Sequence, residues 1–274
     1  MNRQIADKLF LKSALCHQNE QISIGQVLLW LRKQSNKVEV SVTQCPLKAI
    51  EGWNYNEKKD LIEHQSGGFF SIEGIDIKSN CLQEEWQQPI INQAEVGYLG
   101  IIAKEINSVL HFLLQAKIEP GNVNYVQLSP TLQATRSNYT RVHKGKKPLY
   151  LDYFINARPE QVLVDQLQSE QGGRFLRKRN RNIIIKITEE IKIGERFIWL
   201  TLSQIKSLMQ YDNVVNMDTR SVISCISFGK KIENDIRLET SSTDPRKMDF
   251  LKSSMSTISK FTIFQLMSFL ANIK

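Results

Sequence analysis

The densest run of ligand-binding and reactive side chains is residues 125–140, YVQLSPTLQATRSNYT. It opens with the apolar bulk of a strand in Tyr125, Val126 and Leu128, and Pro130 breaks that run. Gln133, Thr135, Arg136, Ser137, Asn138, Tyr139 and Thr140 follow, a row of amides and hydroxyls with one guanidinium and one phenol. A hydrophobic core does not take such a row, because each buried polar group needs a partner. The set suits a polyoxygenated anion: guanidinium for phosphate, amides and hydroxyls for sugar oxygens, an aromatic face for a base. A polar edge strand that satisfies itself fits the same letters, and chemistry alone leaves both readings open.

A second group sits at residues 169–175. Ser169, Glu170 and Arg174 stand beside Gly172 and Gly173, so a hydroxyl, a carboxylate and a guanidinium converge at one turn. His143, Lys144, Lys146 and Lys147 make a basic loop softened by Gly145, able to close over phosphates or to stay solvated. Trp53, directly after Gly52, is either a core plug or a stacking surface for a base or sugar. His64 has no second ligand at metal spacing and reads as structural or solvent-facing. Arg177, Arg179 and Arg181 share one side if they lie in a strand, where they could serve a diphosphate or an oligomer contact. No helix-turn-helix, RNP or zinc pattern accompanies these basic residues, and no aromatics are interleaved as stacking platforms. Nucleic acid is therefore not the expected partner.

The elements that must position these groups are mostly strands. Residues 98–103 and Val109–Ile118 read as a hairpin turned at Asn107 and Ser108. Glu119, Pro120, Gly121 and Asn122 make a turn into the 125–140 stretch. Residues 69–77 alternate as a half-buried strand, and Pro89 marks an edge strand over 85–91. From 69 to 140 the pattern is antiparallel sheet with no βαβ rhythm. Residues 37–42, KVEVSV, alternate as one more strand. Helices are predicted after Ser23, through 26–33, and after Thr201, through 202–211. Another is predicted from Pro159, with Val162, Leu163 and Leu167 on its buried side. Residues 177–182 open a strand at 183–187, and 216–221 read as a polar turn before 222–226. Residues 229–259 lose periodicity and read as a linker. Residues 263–270 can be laid on 24–31 as a weak repeat, which suggests the start of a second copy.

Composition bounds the rest. The chain has 274 residues, 41% hydrophobic and 23% charged, with a net charge of +8. That is an ordinary globular balance with a basic bias that suits phosphate-bearing ligands or simply solubility. Cys16, Cys45, Cys81 and Cys225 form no C-x-x-C pair and read as buried thiols in a reducing compartment. Charged residues among the first twenty positions exclude a secretory apolar region, and the apolar stretch at 261–273 is too short to cross a bilayer. A cytoplasmic protein with no membrane partner is expected.

Several blocks occur in one order: Trp86, Gln87, Gln88, Pro89; residues 116–122, AKIEPGN; residues 127–140; residues 167–175; and Trp199, Leu200, Thr201, Leu202. In this the chain, over residues 25–226, resembles the NDP-hexose 2,3-dehydratase family. The resemblance implies an α+β fold built as a Nudix-like mixed and antiparallel sheet with flanking helices, one of two tandem repeats, in a homodimer. Residues 1–228 would be the first repeat, 229–259 the linker, and 260–274 the opening helix of a second repeat. The substrate it implies is dTDP-4-keto-6-deoxyglucose, which loses its 2-hydroxyl to give a 3,4-diketo-2,6-dideoxy sugar nucleotide without a cofactor. Family binding residues carry over onto Trp53, Arg136, Ser137, Asn138, Tyr139, Thr140 and Ser169. Arg136, with Lys144 or Arg174, would hold the diphosphate, and Trp53 would stack on thymine or sugar. Glu170, Glu119, Tyr139 and His143 are the candidate acids and bases, with Tyr139 and Glu170 the first choice. The Glu-rich metal helix of Nudix enzymes is absent from the sequence, so no metal is expected. The alternative is a non-catalytic nucleotide-sugar-binding remnant of a two-domain enzyme.

Overall fold

The computed structural model describes residues 3–16, 22–80, 85–135 and 147–228. Two helices lead: α1 (Arg3–Leu15), which the sequence reading did not anticipate, and α2 (Ile24–Asn36). The Ser23 hydroxyl accepts from the Gln26 N–H at 3.3 Å, and the Gln26 side chain accepts from the Ser23 N–H at 2.8 Å, a reciprocal cap that starts α2 as expected. The strand expected at 37–42 is absent. α2 runs on to Asn36, and residues 38–46 have no regular structure. Alternation alone does not make a strand when no neighbour takes up its backbone hydrogen bonds. Four strands then form an antiparallel sheet in chain order: β1 (Trp53–Asn56), β2 (Leu61–His64), β3 (Ser71–Ile77) and β4 (Trp86–Asn92). Pro89 lies in the edge strand β4, where its missing N–H costs no ladder bond.

The second sheet is organised by a hairpin that splits. β5 (Gly97–Ile106) and β6 (Val109–Ile118) are turned by Asn107 and Ser108, at φ of 49° and 62°. That left-handed pair matches the twist of the strands it joins. β5 and β6 pair with each other only from the turn back to Ile102 and Leu113. Beyond that point they part, and the following chain fills the opening. β7 (Val126–Pro130) pairs with β6 from Leu114 to Ile118, and β8 (Leu132–Ala134) pairs with β5 from Tyr98 to Gly100. Thr131 is where the chain crosses from one side of the fork to the other. Its hydroxyl accepts from the Ile102 N–H at 2.9 Å and donates to the Leu113 carbonyl, so it satisfies both strands at the branch point.

Later segments complete this sheet. α3 (Leu151–Ile155) precedes β9 (Val162–Ser169), and β10 (Arg179–Ile187) lies between β9 and β5, antiparallel to the first and parallel to the second. The helix expected after Pro159 is a single 3-10 turn over Pro159–Gln161, and Val162 onward is strand. Val162, Leu163 and Leu167 suit a helix face in isolation, but the open edge of β10 offers a ladder of backbone partners. β11 (Phe197–Thr201) covers the outer edge of β6 and runs into α4 (Leu202–Leu208), whose first turn is capped by the Thr201 hydroxyl as expected. The polar turn expected at 216–221 is instead the start of α5 (Met217–Ser224), where the Asn216 side chain accepts from the Thr219 N–H at 2.8 Å.

The sheet is buried on both faces. Phe10, Val27, Ile101, Phe112, Leu128, Ile184, Leu202, Ile205 and Val222 join the helices α1, α2, α4 and α5 to one side. On the other, Ile102, Leu113, Leu132, Ile183 and Ile185 pack against Leu151 and Phe154 from α3. Gly100 admits that contact, since a Cβ there would meet the Phe154 ring at 2.4 Å. The α+β class and the mixed sheet with flanking helices are as expected. The thiols differ from expectation: Cys45 is exposed, and Cys16 and Cys225 are only half-buried. Among the described residues no helix is long and apolar enough to cross a membrane. The linker and repeat expected at 229–259 and 263–270 lie outside the described residues.

Replacing Thr131 by valine keeps the shape and removes the hydroxyl, which strands the Ile102 N–H and the Leu113 carbonyl in a buried site. Urea unfolding of T131V is expected to show a loss of about 2–4 kcal/mol, from two unsatisfied buried groups. A change below ~0.5 kcal/mol, the usual scatter for a neutral substitution, would contradict the branch-point role.

Candidate functional site

The open end of the fork forms a pocket of about 170 Å³. β5 contributes Gly97, Tyr98 and Leu99, β6 contributes Lys117, and the end of β8 contributes Gln133 and Thr135. Glu170, Lys178 and Asn180 close it from the β9–β10 side, and Asp218 from α5. A smaller pocket of about 70 Å³ shares Leu99, Glu170, Asn180 and Asp218 and adds Ser169, Asn182 and Ser221. Gly97 is required here, because a Cβ would stand 2.7 Å from the Asn180 Oδ1.

Two carboxylates, Glu170 and Asp218, line this space; Glu119 lines neither pocket but its charge bears on Asp218, and the surroundings of the three differ. Glu119 accepts from Gln133 at 2.8 Å, Asn122 at 3.2 Å and Asn216 at 3.3 Å, and pairs with Lys117 at 3.3 Å. Burial pushes the Glu119 carboxyl up, but Lys117 and the three amides outweigh it and hold it below the ordinary carboxylate value. Glu170 accepts from the Asn180 side chain at 2.6 Å, and its N–H donates to the Lys178 carbonyl at 3.0 Å. Asp218 makes no hydrogen bond among the described residues. Burial raises its carboxyl from 3.8 to about 6, helped by the charges of Glu119 and Glu170 and opposed by Lys117. Its place in the first turn of α5 favours the carboxylate, so the rise comes from burial and its two acidic neighbours prevailing over the helix end.

The floor of the site is Lys178, directly before β10, and one face of the first half of that strand. Lys178 is 3% exposed and donates to the Glu95 carbonyl at 2.6 Å. Burial pulls its ammonium down, against the attraction of Glu170 and Glu95. Asn180 and Asn182 follow at alternate positions, so they share that face. Asn182, 1% exposed, directs its amide N–H to the Asn180 and Gln166 carbonyls at 3.3 and 3.5 Å, which leaves its Oδ1 without a partner among the described residues. The arrangement offers a base, a candidate acid, a buried cation and amides for hydroxyl groups. That set suits proton removal beside a carbonyl and departure of an oxygen.

The nominated residues fall in three places. Glu170 and Ser169 border the site. Trp53 is half-buried in β1, in an aromatic cluster with Phe70 at 4.7 Å and His64 at 5.5 Å, outside both pockets. Arg174 is exposed at the turn where its carbonyl accepts from the Ile91 N–H at 2.8 Å, and it lines neither pocket. Arg136, Ser137, Asn138, Tyr139 and Thr140 lie outside the described residues, as do His143 and Lys144. Arg181 spends its fork on Asp165 and reaches the Tyr98 hydroxyl at 3.0 Å, while Arg177, at φ 53°, precedes the strand. The arginines of this stretch stand out in the sequence, whereas the pockets are lined by Lys178, Asn180 and Asn182, which alternate with them. Asp218 does not stand out either, although Asn216 two residues earlier is the signal of a helix start that would have placed Asp218 in a first turn. Among the described residues no three His, Cys, Asp or Glu side chains are grouped to hold a metal.

Comparison with known proteins defines the class. A family model described as NDP-hexose 2,3-dehydratase matches residues 24–226, and the chain belongs to that family. The dTDP-4-dehydro-6-deoxy-alpha-D-glucopyranose 2,3-dehydratase of Saccharopolyspora spinosa is 48% identical over 220 residues, covering 80% of this chain and 45% of that protein. The protein of the same name from Amycolatopsis orientalis is 44% identical over 229 residues, covering 81% and 48%. The chain thus spans about half the length of the curated relatives it matches. Among solved structures, an ADP compounds hydrolase aligns with a TM-score of 0.35 and 9% identity, over 62% of this chain and 88% of that one, too low to carry an argument.

The carboxyl of Asp218 titrates near 6 in the folded chain and near 3.8 when unfolded. The folded state therefore holds the extra proton between those values, and stability falls as pH rises through them. Asp218→Asn removes this penalty. At pH 8 it is expected to be more stable than wild type by about 1–2 kcal/mol, after allowance for solvent screening. At pH 3.5 the two should unfold at the same urea concentration, and an equal gap at both pH values would contradict the assignment.

Proposed function

We propose that this chain dehydrates dTDP-4-keto-6-deoxy-D-glucose across C2 and C3, giving the 3,4-diketo-2,6-dideoxy sugar nucleotide of deoxysugar synthesis. The observation that carries this reading is that the family match over residues 24–226 contains every residue lining the two pockets. The relatives' names supply the substrate, and the carboxylates and buried cation of the fork supply chemistry suited to it.

The C3 proton is acidified by the C4 ketone. Glu170 or Tyr139 removes it, and the electron pair moves onto the C4 oxygen, where Lys178, the buried lysine lining the larger of the two pockets, would stabilise the enolate. The pair then returns to form the C2–C3 double bond as the C2 oxygen departs with a proton from an acid. The resulting enol at C3 takes up a proton at C2 and becomes the second ketone. Water is the only by-product and no electrons are gained or lost. Arg136 with Lys144 or Arg174 would hold the diphosphate, and Trp53, Ser137, Asn138, Thr140 and Ser169 the sugar and base. The reading also carries the cytoplasmic setting, the homodimer, and the boundaries at 229–259 and 260–274 that the family resemblance implies.

The test is turnover of dTDP-4-keto-6-deoxyglucose, followed by mass as loss of one water. Wild type should convert it. Glu170→Gln should lower kcat by roughly 10²–10⁴, the usual value of a positioned base, with dTDP affinity nearly unchanged. Arg136→Ala should weaken dTDP binding by about tenfold or more, as expected for a lost charge-assisted contact. Absence of any product from wild type that still binds dTDP would refute the activity.

A further inference from the structure

We propose that Asp218, at the start of α5, is the proton donor to the departing C2 hydroxyl, and that Asn182 receives a substrate hydroxyl beside it. This rests on the dehydratase reading and assigns a group which that reading leaves open. Three observations converge. The Asp218 carboxyl borders both pockets and has no hydrogen bond among the described residues, so its oxygens are open to a ligand there. Asn182 lines the same small pocket with a buried oxygen that has no partner among the described residues, and its N–H groups are already turned onto two backbone carbonyls. A buried acceptor of that kind is costly unless a ligand or water donates to it. Glu170, the candidate base, borders both pockets as well, so acid and base act across one small space.

The groups facing Asp218 set its protonation. Glu119, held by its amides and Lys117, and Glu170 both oppose a third negative charge, while Lys117 favours one. Lys178 lines the first pocket with Asp218. Burial beside two carboxylates favours the protonated form of Asp218, the form a proton donor needs. In the step itself the C2–O bond breaks and its electron pair leaves with oxygen, which takes the Asp218 proton and departs as water. Asp218 becomes a carboxylate while Glu170 holds the proton from C3. Transfer between them, directly or through solvent, restores both.

The discriminating experiment compares the natural substrate with its analogue carrying fluorine in place of the C2 hydroxyl. Fluoride leaves without a proton, and removal of the C3 proton is still required. Asp218→Asn should lower kcat on the hydroxyl substrate by about 100-fold or more. It should stay within about threefold of wild type on the fluoro analogue, and the fall of kcat toward high pH expected of wild type should be absent from the variant. Glu170→Gln should be slow on both. Asp218→Asn slow on both substrates would make the residue structural, and fast on both would make it a bystander; either overturns the proposal while the dehydratase reading stands. Wild type that converts neither substrate would end the dehydratase reading and this proposal with it.

Discussion

The branch at Thr131 is the constraint on which the rest of the structure depends. A hairpin that stayed paired along its whole length would have closed the space where the pocket lies. Instead β5 and β6 part after Ile102 and Leu113, and one hydroxyl takes over the bonding of both strands. β7 and β8 then repair the two inner edges, so the sheet opens without leaving a row of buried orphan groups. The opening is lined by strand ends, held by ladders on either side. That gives a rigid frame to side chains such as Lys117 and Gln133, which would wander on a loop.

Within that frame the acidic groups are treated unequally. Glu119 is wrapped by three amides and a lysine and behaves as a fixed anion. Glu170 has one amide and one neighbouring strand to orient it. Asp218 has neither and bears the charge of the other two. A fold selected for stability alone would not keep an unsatisfied acid between two others, and local conflicts of this kind mark sites kept for chemistry. The Asn182 oxygen, without a partner among the described residues, is a second such conflict, two residues along β10 from the amide that orients Glu170.

Much of the sheet was legible in the sequence. The hairpin, its Asn107–Ser108 turn and the edge position of Pro89 follow from local rules, as do the caps at Ser23 and Thr201, because each is decided by a few adjacent residues. The errors share a cause. Residues 37–42 alternate but find no partner strand, while residues 162–169 look helical but lie beside an open strand edge. Whether a neighbour is there is not written locally. The site divided in the same way. Glu170 could be nominated because its turn gathers polar residues and glycines, whereas Lys178, Asn180 and Asn182 are interleaved with arginines, of which Arg179 and Arg181 lie on the opposite face of β10. Asp218 comes from a helix whose cap at Asn216 was read as a turn, and only the packing of α5 over the fork brings it to Glu170.

β10 is the one strand that runs parallel to β5, with Asn180 opposite Gly97 across roughly eighty residues of intervening chain. Local pairing can build the hairpin and its fork early, yet the floor of the pocket arrives only when this distant segment docks. A molecule that binds there recognises a chain in which this long-range pairing is already made. Occupancy of the pocket is in that sense a report on finished folding, and ligand added during refolding would draw partly assembled chains toward the native state by mass action.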